Sequence, residues 1–417
     1  MNNDVDTIAV RASRRGRWLP VSEAALAAFR TNLAEQAKKR GPGIRLSPPV
    51  QDLASLVNSD PVLRMYFTQA IEQALEAGYQ LGYTNADELM VMIDALMTYA
   101  PPFDKTELVG CPLNALLDWP MCMPAGFALF RSPELNAKFK AVLRYWCDFL
   151  SGPDSRNFLT TEPPTGWFCP EAISYISMSE FVYDDTRRYW GFASWNDFFT
   201  REFKPDARPV DAPTDNTVIV SACEATPYNI QNNTQLTDRF WIKAQPYSLR
   251  DIFTNAHQTL AEQFVGGDVY QAFLSAYNYH RWHAPVSGTI VTTYLVDGTY
   301  YSDLEAEGLD PSGPNDSQGY ITEVATRAVI VIACDDQRVG SVACVFVGMA
   351  EISSCVLEVR EGQHVNKGDE IGYFQYGGST HCLIFEPGVI RSFVPKPPFD
   401  IHTPPIKINR QIATAGR

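Results

Sequence analysis

The sequence is poor in the residues that anchor several familiar chemistries. Only six of 417 residues are histidine, and nine cysteines are scattered with no Cys-x-x-Cys pair. An odd, scattered set provides neither a disulfide framework nor a thiolate zinc site, and points to a reducing, cytosolic compartment. No His-Glu-x-x-His motif occurs, so no metal is expected. Long hydrophobic runs are missing too: the best, Ala328–Cys334 and Val342–Ala350, are strand-length and separated by charges, too short to cross a bilayer. Basic residues number 34 against 48 acidic ones, a formal net charge of -14. That balance argues against a nucleic-acid groove or sustained contact with an anionic membrane, and favours a neutral or zwitterionic small substrate. Residues 1–20 carry Asp4 and Asp6, then Arg11, Arg14, Arg15 and Arg17. Without the apolar core of a signal peptide, this stretch reads as a disordered, solvated tail.

What remains is an ordinary globular composition, 45% hydrophobic and 20% charged, long enough for two or three domains. Helical periodicity runs from Ser22 to Arg40, where Gly41 and Pro42 stop it, and recurs over 50–57, 60–77, 87–99 and 133–150. The first 150 residues hold no glycine-rich phosphate loop and read as a helical scaffold or lid. Proline, glycine and serine between Ser151 and Trp167 mark a candidate boundary, and a further helix is expected over Pro170–Phe181. Ser194 is a good N-cap with Asp197 three residues on. From Thr217 the texture becomes short β runs: 217–222, 239–242, 288–295, 327–333, 341–348 and 353–359. The fold class is therefore α+β, a helical N-terminal domain packed on a β-rich one. The polar loop Gly308–Gln318 is expected to be exposed.

Four short stretches carry candidate chemistry. Gly377 and Gly378 remove every Cβ just before Ser379, so a serine there can approach the carbonyl that precedes it; a plain glycine turn is the competing reading. Tyr279-His280-Arg281-Trp282-His283 holds two of the six histidines, and His283 is a candidate base for Ser379. Glu224, at the end of an apolar strand, is a candidate acid to orient it. Glu351 lies within an apolar run, and a buried carboxylate needs a partner or a shifted pKa.

Taken together, SACEA (221–225), YHRWHAPVSGTI (279–290), FVGMAEIS (346–353) and EGQHVNKGDEIGYFQYGGST (361–380) resemble the pyruvoyl-dependent phosphatidylserine decarboxylase family. The similarity runs from about Phe192 to the C-terminus. Within the family the chain looks closest to the soluble fungal branch of the psilocybin pathway type, which acts on free L-tryptophan. Glutamate at 224 and 351, where the phospholipid enzymes typically carry aspartate and asparagine, carries that closer likeness.

The resemblance implies domains at 21–180 (helical) and 190–417 (catalytic), and self-cleavage between Gly378 and Ser379 into a β chain, 1–378, and an α chain, 379–417, that stay associated. Ser379 would become a covalent pyruvoyl group that forms a Schiff base with the substrate amine and takes up the electrons left when CO₂ departs. His283 would be the processing base, Glu224 its orienting acid, and His280 the acid that protonates the former Cα. Glu351 would receive the substrate ammonium, while Trp282, Phe346, Met349 and Tyr376 would line an aromatic pocket. The expected activity is decarboxylation of L-tryptophan to tryptamine in the cytoplasm, with phosphatidylserine as the alternative substrate. A second alternative is a non-catalytic module: Glu361–Asp369 resembles the hairpin half of a biotinyl or lipoyl carrier.

Overall fold

The computed structural model describes residues 23–41, 44–104, 111–238, 247–275, 277–304, 317–351, 354–376, 379–399 and 403–416. The expected N-terminal tail, the expected strand over 239–242, most of the 308–318 loop and Gly378 itself lie outside those residues.

Among the described residues up to Ser151 the chain forms seven helices, α1 (Glu23–Lys39), α2 (Pro48–Ser59), α3 (Pro61–Glu76), α4 (Ala86–Leu96), α5 (Asn114–Met121), α6 (Pro124–Leu129) and α7 (Pro133–Ser151). Asp60 caps α3 by accepting from the N–H groups of Val62 and Leu63 at 2.8 and 3.0 Å, with Pro61 in the first turn. Such a cap is worth about 1 kcal/mol. The apolar stripe Leu135, Phe139, Val142, Leu143, Trp146 and Leu150 of α7 is wholly buried, which is what turns its periodicity into stability. Helices α5 and α6 escape a periodicity reading because α5 is buried all round and holds Pro120. The helix expected over Pro170–Phe181 is shorter, ending at Tyr175. Ser177 takes a left-handed φ of 50° there, which breaks the helical path.

The chain divides into two compact units, Met1–Ser179 with Tyr183–Phe198 and Thr299–Ser317, and Glu180–Val182 with Phe199–Gly298 and Gln318–Arg417. Two segments expected in the catalytic half thus fold with the helices. Trp190 stacks on Phe168 at 4.3 Å, and the Trp195 N–H donates to Ser155 Oγ at 2.9 Å. The Tyr300 N–H donates to Asn136 Oδ1 at 3.0 Å. Ser194 does cap: its Oγ accepts from the Asp197 N–H, and the Asp197 carboxylate accepts from Ala193 N–H.

The second unit is antiparallel β. Its strands are β1 (Val218–Val220), β2 (Thr226–Gln231), β3 (Asp268–Leu274), β4 (Arg281–His283), β5 (Gly288–Val296), β6 (Arg327–Cys334), β7 (Ser341–Gly348), β8 (Ser354–Leu357), β9 (His364–Val365), β10 (Glu370–Gln375), β11 (Ser379–Phe385), β12 (Ile390–Phe393) and β13 (Gln411–Ala415). A seven-stranded sheet runs β2-β3-β11-β7-β6-β5-β9, beside three-stranded sheets β4-β10-β8 and β1-β13-β12. Phe346 and Leu383 of the large sheet and Trp282 and Phe374 of the β4-β10-β8 sheet share one core. Trp282 lies flat on Phe346, centroids 4.0 Å apart and planes 2° from parallel.

Candidate active site

Register brings the site to one end of the large sheet. Ser379, the first residue of β11, pairs with Leu274 at the end of β3 and with Gly348 at the end of β7. Thr226, at the start of β2, pairs with Phe273. Glu224 therefore precedes β2, and Met349, Ala350 and Glu351 follow β7, at the same end where β11 begins. Residues far apart in sequence meet there because antiparallel neighbours alternate starts and ends.

Ser379 is fully buried and its Oγ has no hydrogen-bond partner among the described residues. Buried hydroxyls are mostly satisfied, and since those of Thr234 and Tyr270 also lack a partner among the described residues, it is the place at the strand ends that singles out Ser379. Strain is present on both sides: Tyr376 has φ 64° and Ala350 φ 54°, left-handed values that cost roughly 1–3 kcal/mol each in non-glycine residues. Glu351, next to Ala350, is 1% exposed. His381 lies two residues beyond Ser379 and so shares its face of the strand, with Phe346 at 6.3 Å and Tyr270 at 6.1 Å. Burial pushes its pKa down to about 3 against the raising effect of the Ala272 backbone.

His280 approaches from the small sheet. Its carbonyl accepts from the Phe374 N–H at 2.9 Å, and its ring stacks on Phe199 at 4.3 Å. Phe199 in turn packs on Tyr376 at 5.9 Å, three residues before Ser379. His283 turns elsewhere, as an odd spacing on a strand dictates. Its Nδ1 faces the Gly368 carbonyl at 2.7 Å and its Nε2 faces the Tyr279 hydroxyl at 2.9 Å. Burial lowers its pKa to about 4, with the Gly368 carbonyl opposing and Arg281 adding to the fall.

The expected hydrogen-bonded line Ser379, His283, Glu224 is not formed in this structure. Glu224 gives its carboxylate to Arg208, which donates from Nε and Nη2 at 2.7 and 2.8 Å and also donates to Glu180 at 2.7 Å. The place of an orienting acid on His283 is taken by the Gly368 carbonyl. Glu224 reaches His283 only through the main chain of its own segment, where the Ala222 carbonyl accepts the His283 N–H at 2.9 Å. Two expected pocket residues also need reassignment. Trp282 is sandwiched between Phe346 and Gly372, where an added Cβ would lie 2.6 Å from the indole. Both Trp282 and Phe346 therefore hold the core together; Met349 and Tyr376 remain beside the strand ends.

Tyr279, Gly368, Arg208 and Phe199 touch the expected site residues, and the sequence alone does not single them out. Tyr279 stands four residues before His283, on a regular strand the same face but about 13 Å away; the bend before β4 brings the two side chains together at 2.9 Å. Lys367, the lysine of the carrier-like hairpin, is 5% exposed, and its ammonium donates to the carbonyls of Ala212, Asp215 and Val218 at 2.7, 2.6 and 2.8 Å. That is a structural clasp for β1, not an exposed acceptor for a prosthetic arm.

The family pattern described as Phosphatidylserine decarboxylase matches residues 195–398, and a second pattern of the same description matches residues 47–176. The chain is 35% identical over 391 residues to an L-tryptophan decarboxylase of Psilocybe cubensis, covering 88% of this chain and 87% of that one. It is 38% identical over 330 residues to the decarboxylase iboD of Amanita muscaria, covering 72% and 94%. An L-tryptophan decarboxylase of Psilocybe cyanescens is 34% identical over 397 residues, covering 89% and 88%. Among the described residues no helix is long and apolar enough to cross a membrane. An unsatisfied buried serine at converging strand ends, in a chain so similar to named decarboxylases along nearly its whole length, identifies a decarboxylase of the phosphatidylserine decarboxylase family.

Proposed function

We propose that the chain cuts itself between Gly378 and Ser379 and then decarboxylates a free aromatic L-amino acid, L-tryptophan foremost, to its amine. The observation that carries this reading is the hydroxyl of Ser379, buried at the strand ends without a hydrogen-bond partner among the described residues, three residues after Tyr376 with its φ of 64°. Ser379 Oγ attacks the Gly378 carbonyl, His283 takes the hydroxyl proton, and the 378–379 C–N bond gives way to an ester. Loss of the Ser379 Cα proton expels the Gly378 carboxylate. The double bond left at 379 takes up water and releases ammonia, leaving a pyruvoyl N-terminus.

That ketone supplies the electron sink which no ordinary side chain offers when CO₂ leaves. The rest falls to the chain's own residues. The Glu351 carboxylate receives the substrate ammonium, Met349 and Tyr376 exclude water around the indole, and His280, held by Phe199, returns a proton to the former Cα. Arg208 holds Glu224, and Glu224 steadies the segment whose carbonyl positions His283. The α chain stays in place because β11 is paired on both edges, to β3 and to β7, through seven registered residues each.

Intact mass spectrometry of the purified chain tests processing. Fragments 1–378 and a pyruvoyl-blocked 379–417 that co-elute under native conditions are expected, and a single uncut chain refutes it. Incubation with L-tryptophan and, separately, with phosphatidylserine vesicles tests the substrate. CO₂ from tryptophan is expected; CO₂ from the vesicles alone would transfer the activity to the phospholipid.

A further inference from the structure

The two partners of His283 define its protonation. A backbone carbonyl can only accept, so Nδ1, facing Gly368 O at 2.7 Å, carries the ring proton. A neutral imidazole has one N–H, so Nε2, facing Tyr279 at 2.9 Å, accepts and the tyrosine O–H donates. Burial keeps the ring neutral, its pKa near 4. His283 thus has the tautomer a serine-activating base needs, with the working lone pair already occupied. Tyr279 is 4% exposed, and its ring is held by Phe203 at 4.2 Å and Phe181 at 6.3 Å.

We propose that Tyr279 is a positioning residue that caps the basic nitrogen of His283 and sets the rate at which the chain cuts itself. The inference rests on the reading that His283 is the processing base. Nε2 must exchange the Tyr279 hydroxyl for that of Ser379 before it can act. It then accepts the Ser379 proton as the Oγ–C bond forms, and passes that proton to the departing amide nitrogen as the C–N bond breaks. The base is regenerated and no other reactant is consumed. The charged groups facing the ring are Arg281 and Asp369, with Glu370 opposite it in register. Glu202 and Glu224 act on Tyr279. None of them donates to or accepts from the ring nitrogens, so among the described residues the cap on Nε2 is the tyrosine.

Self-cleavage is to be timed in the full chain and in Tyr279→Phe, which keeps the ring packing and loses only the hydroxyl. Cleavage about two- to tenfold faster is expected, the worth of one hydrogen bond. The acid limb of the pH–rate profile should also move to higher pH, because losing a donor to the neutral ring raises its pKa. Slower cleavage, or an unchanged rate with an unmoved acid limb, overturns the proposal. A second measurement is independent of cleavage: ¹⁵N-histidine spectra of the uncut Ser379→Ala chain, with His283→Gln for assignment. An Nδ1–H tautomer whose pKa rises on adding Tyr279→Phe supports the cap, and an Nε2–H tautomer overturns it. A wild-type chain that never cleaves would refute the processing reading, while these spectra would still decide the cap.

Discussion

Two hydroxyls stand side by side at the start of β11 in opposite surroundings. Ser379 faces the core side with no hydrogen-bond partner for its Oγ among the described residues. Thr380 faces the other layer, where its Oγ1 donates to the Ala272 carbonyl at 3.1 Å and accepts from Gln271 Nε2 at 3.0 Å. Gln271 also donates to Thr322 Oγ1 at 3.0 Å and accepts from the Tyr247 hydroxyl at 2.5 Å. Both hydroxyls are fully buried, so burial alone does not separate them. A satisfied hydroxyl stabilises the native chain, whereas an orphan destabilises it and leaves its lone pairs available.

Substitution should therefore move the two positions in opposite directions. Ser379→Ala is expected to abolish cleavage and CO₂ release, read by mass spectrometry, yet leave the uncut chain at least as stable as wild type in denaturant titrations. A fall in stability there would break the contrast. His283→Gln should slow cleavage about 10²- to 10⁴-fold, as loss of a positioned base does, without touching Thr380's network. Phe346→Ala, which strips the ring stacked on Trp282 on the Ser379 side of the sheet, should cost about 3–5 kcal/mol. Thr380→Val should cost about 1 kcal/mol by removing the hydroxyl's hydrogen bonds to the Ala272 carbonyl and Gln271 while cleavage continues, so a cleavage defect larger than the stability loss would erase the distinction.

A last contrast is pH dependence. His381 has its folded pKa near 3, below the ordinary imidazole value of about 6.5. Between these values the unfolded chain binds a proton that the native chain refuses, so stability is lost as pH falls through this window. Glu370, raised to about 7 chiefly by burial, acts in the opposite sense over part of it. The comparison is thus with His381→Gln, which should lose about 2 kcal/mol less than wild type between pH 6 and 4.5.

Much of the helical half was legible because each helix carries its own signals: Asp60 with Pro61, and the stripe from Leu135 to Leu150. The strands 288–296, 327–334 and 341–348 were equally plain as apolar runs. β3, β10 and β11 were not, although they build the site. Ser379–Phe385 begins with Ser-Thr-His, residues that look like a turn until two neighbouring strands bury them. The partners of the site residues were the least legible. Whether Glu224 meets His283 or Arg208 depends on side-chain reach across strands that only pairing brings together, and Trp282 reads as a pocket wall until Phe346 and Gly372 close on it.

By itself the sequence determined the α+β class, the glycines before Ser379, the histidine pair and the two glutamates. These are properties of composition, period and local motif, each legible without knowing which distant segments meet. Only the tertiary structure decided that β11 starts where β7 ends, that among the described residues the Ser379 hydroxyl has no partner while that of Thr380 has two, and that Gly368 and Tyr279 hold His283. Those outcomes depend on strand register, and register is set by how whole sheets bury their apolar faces together.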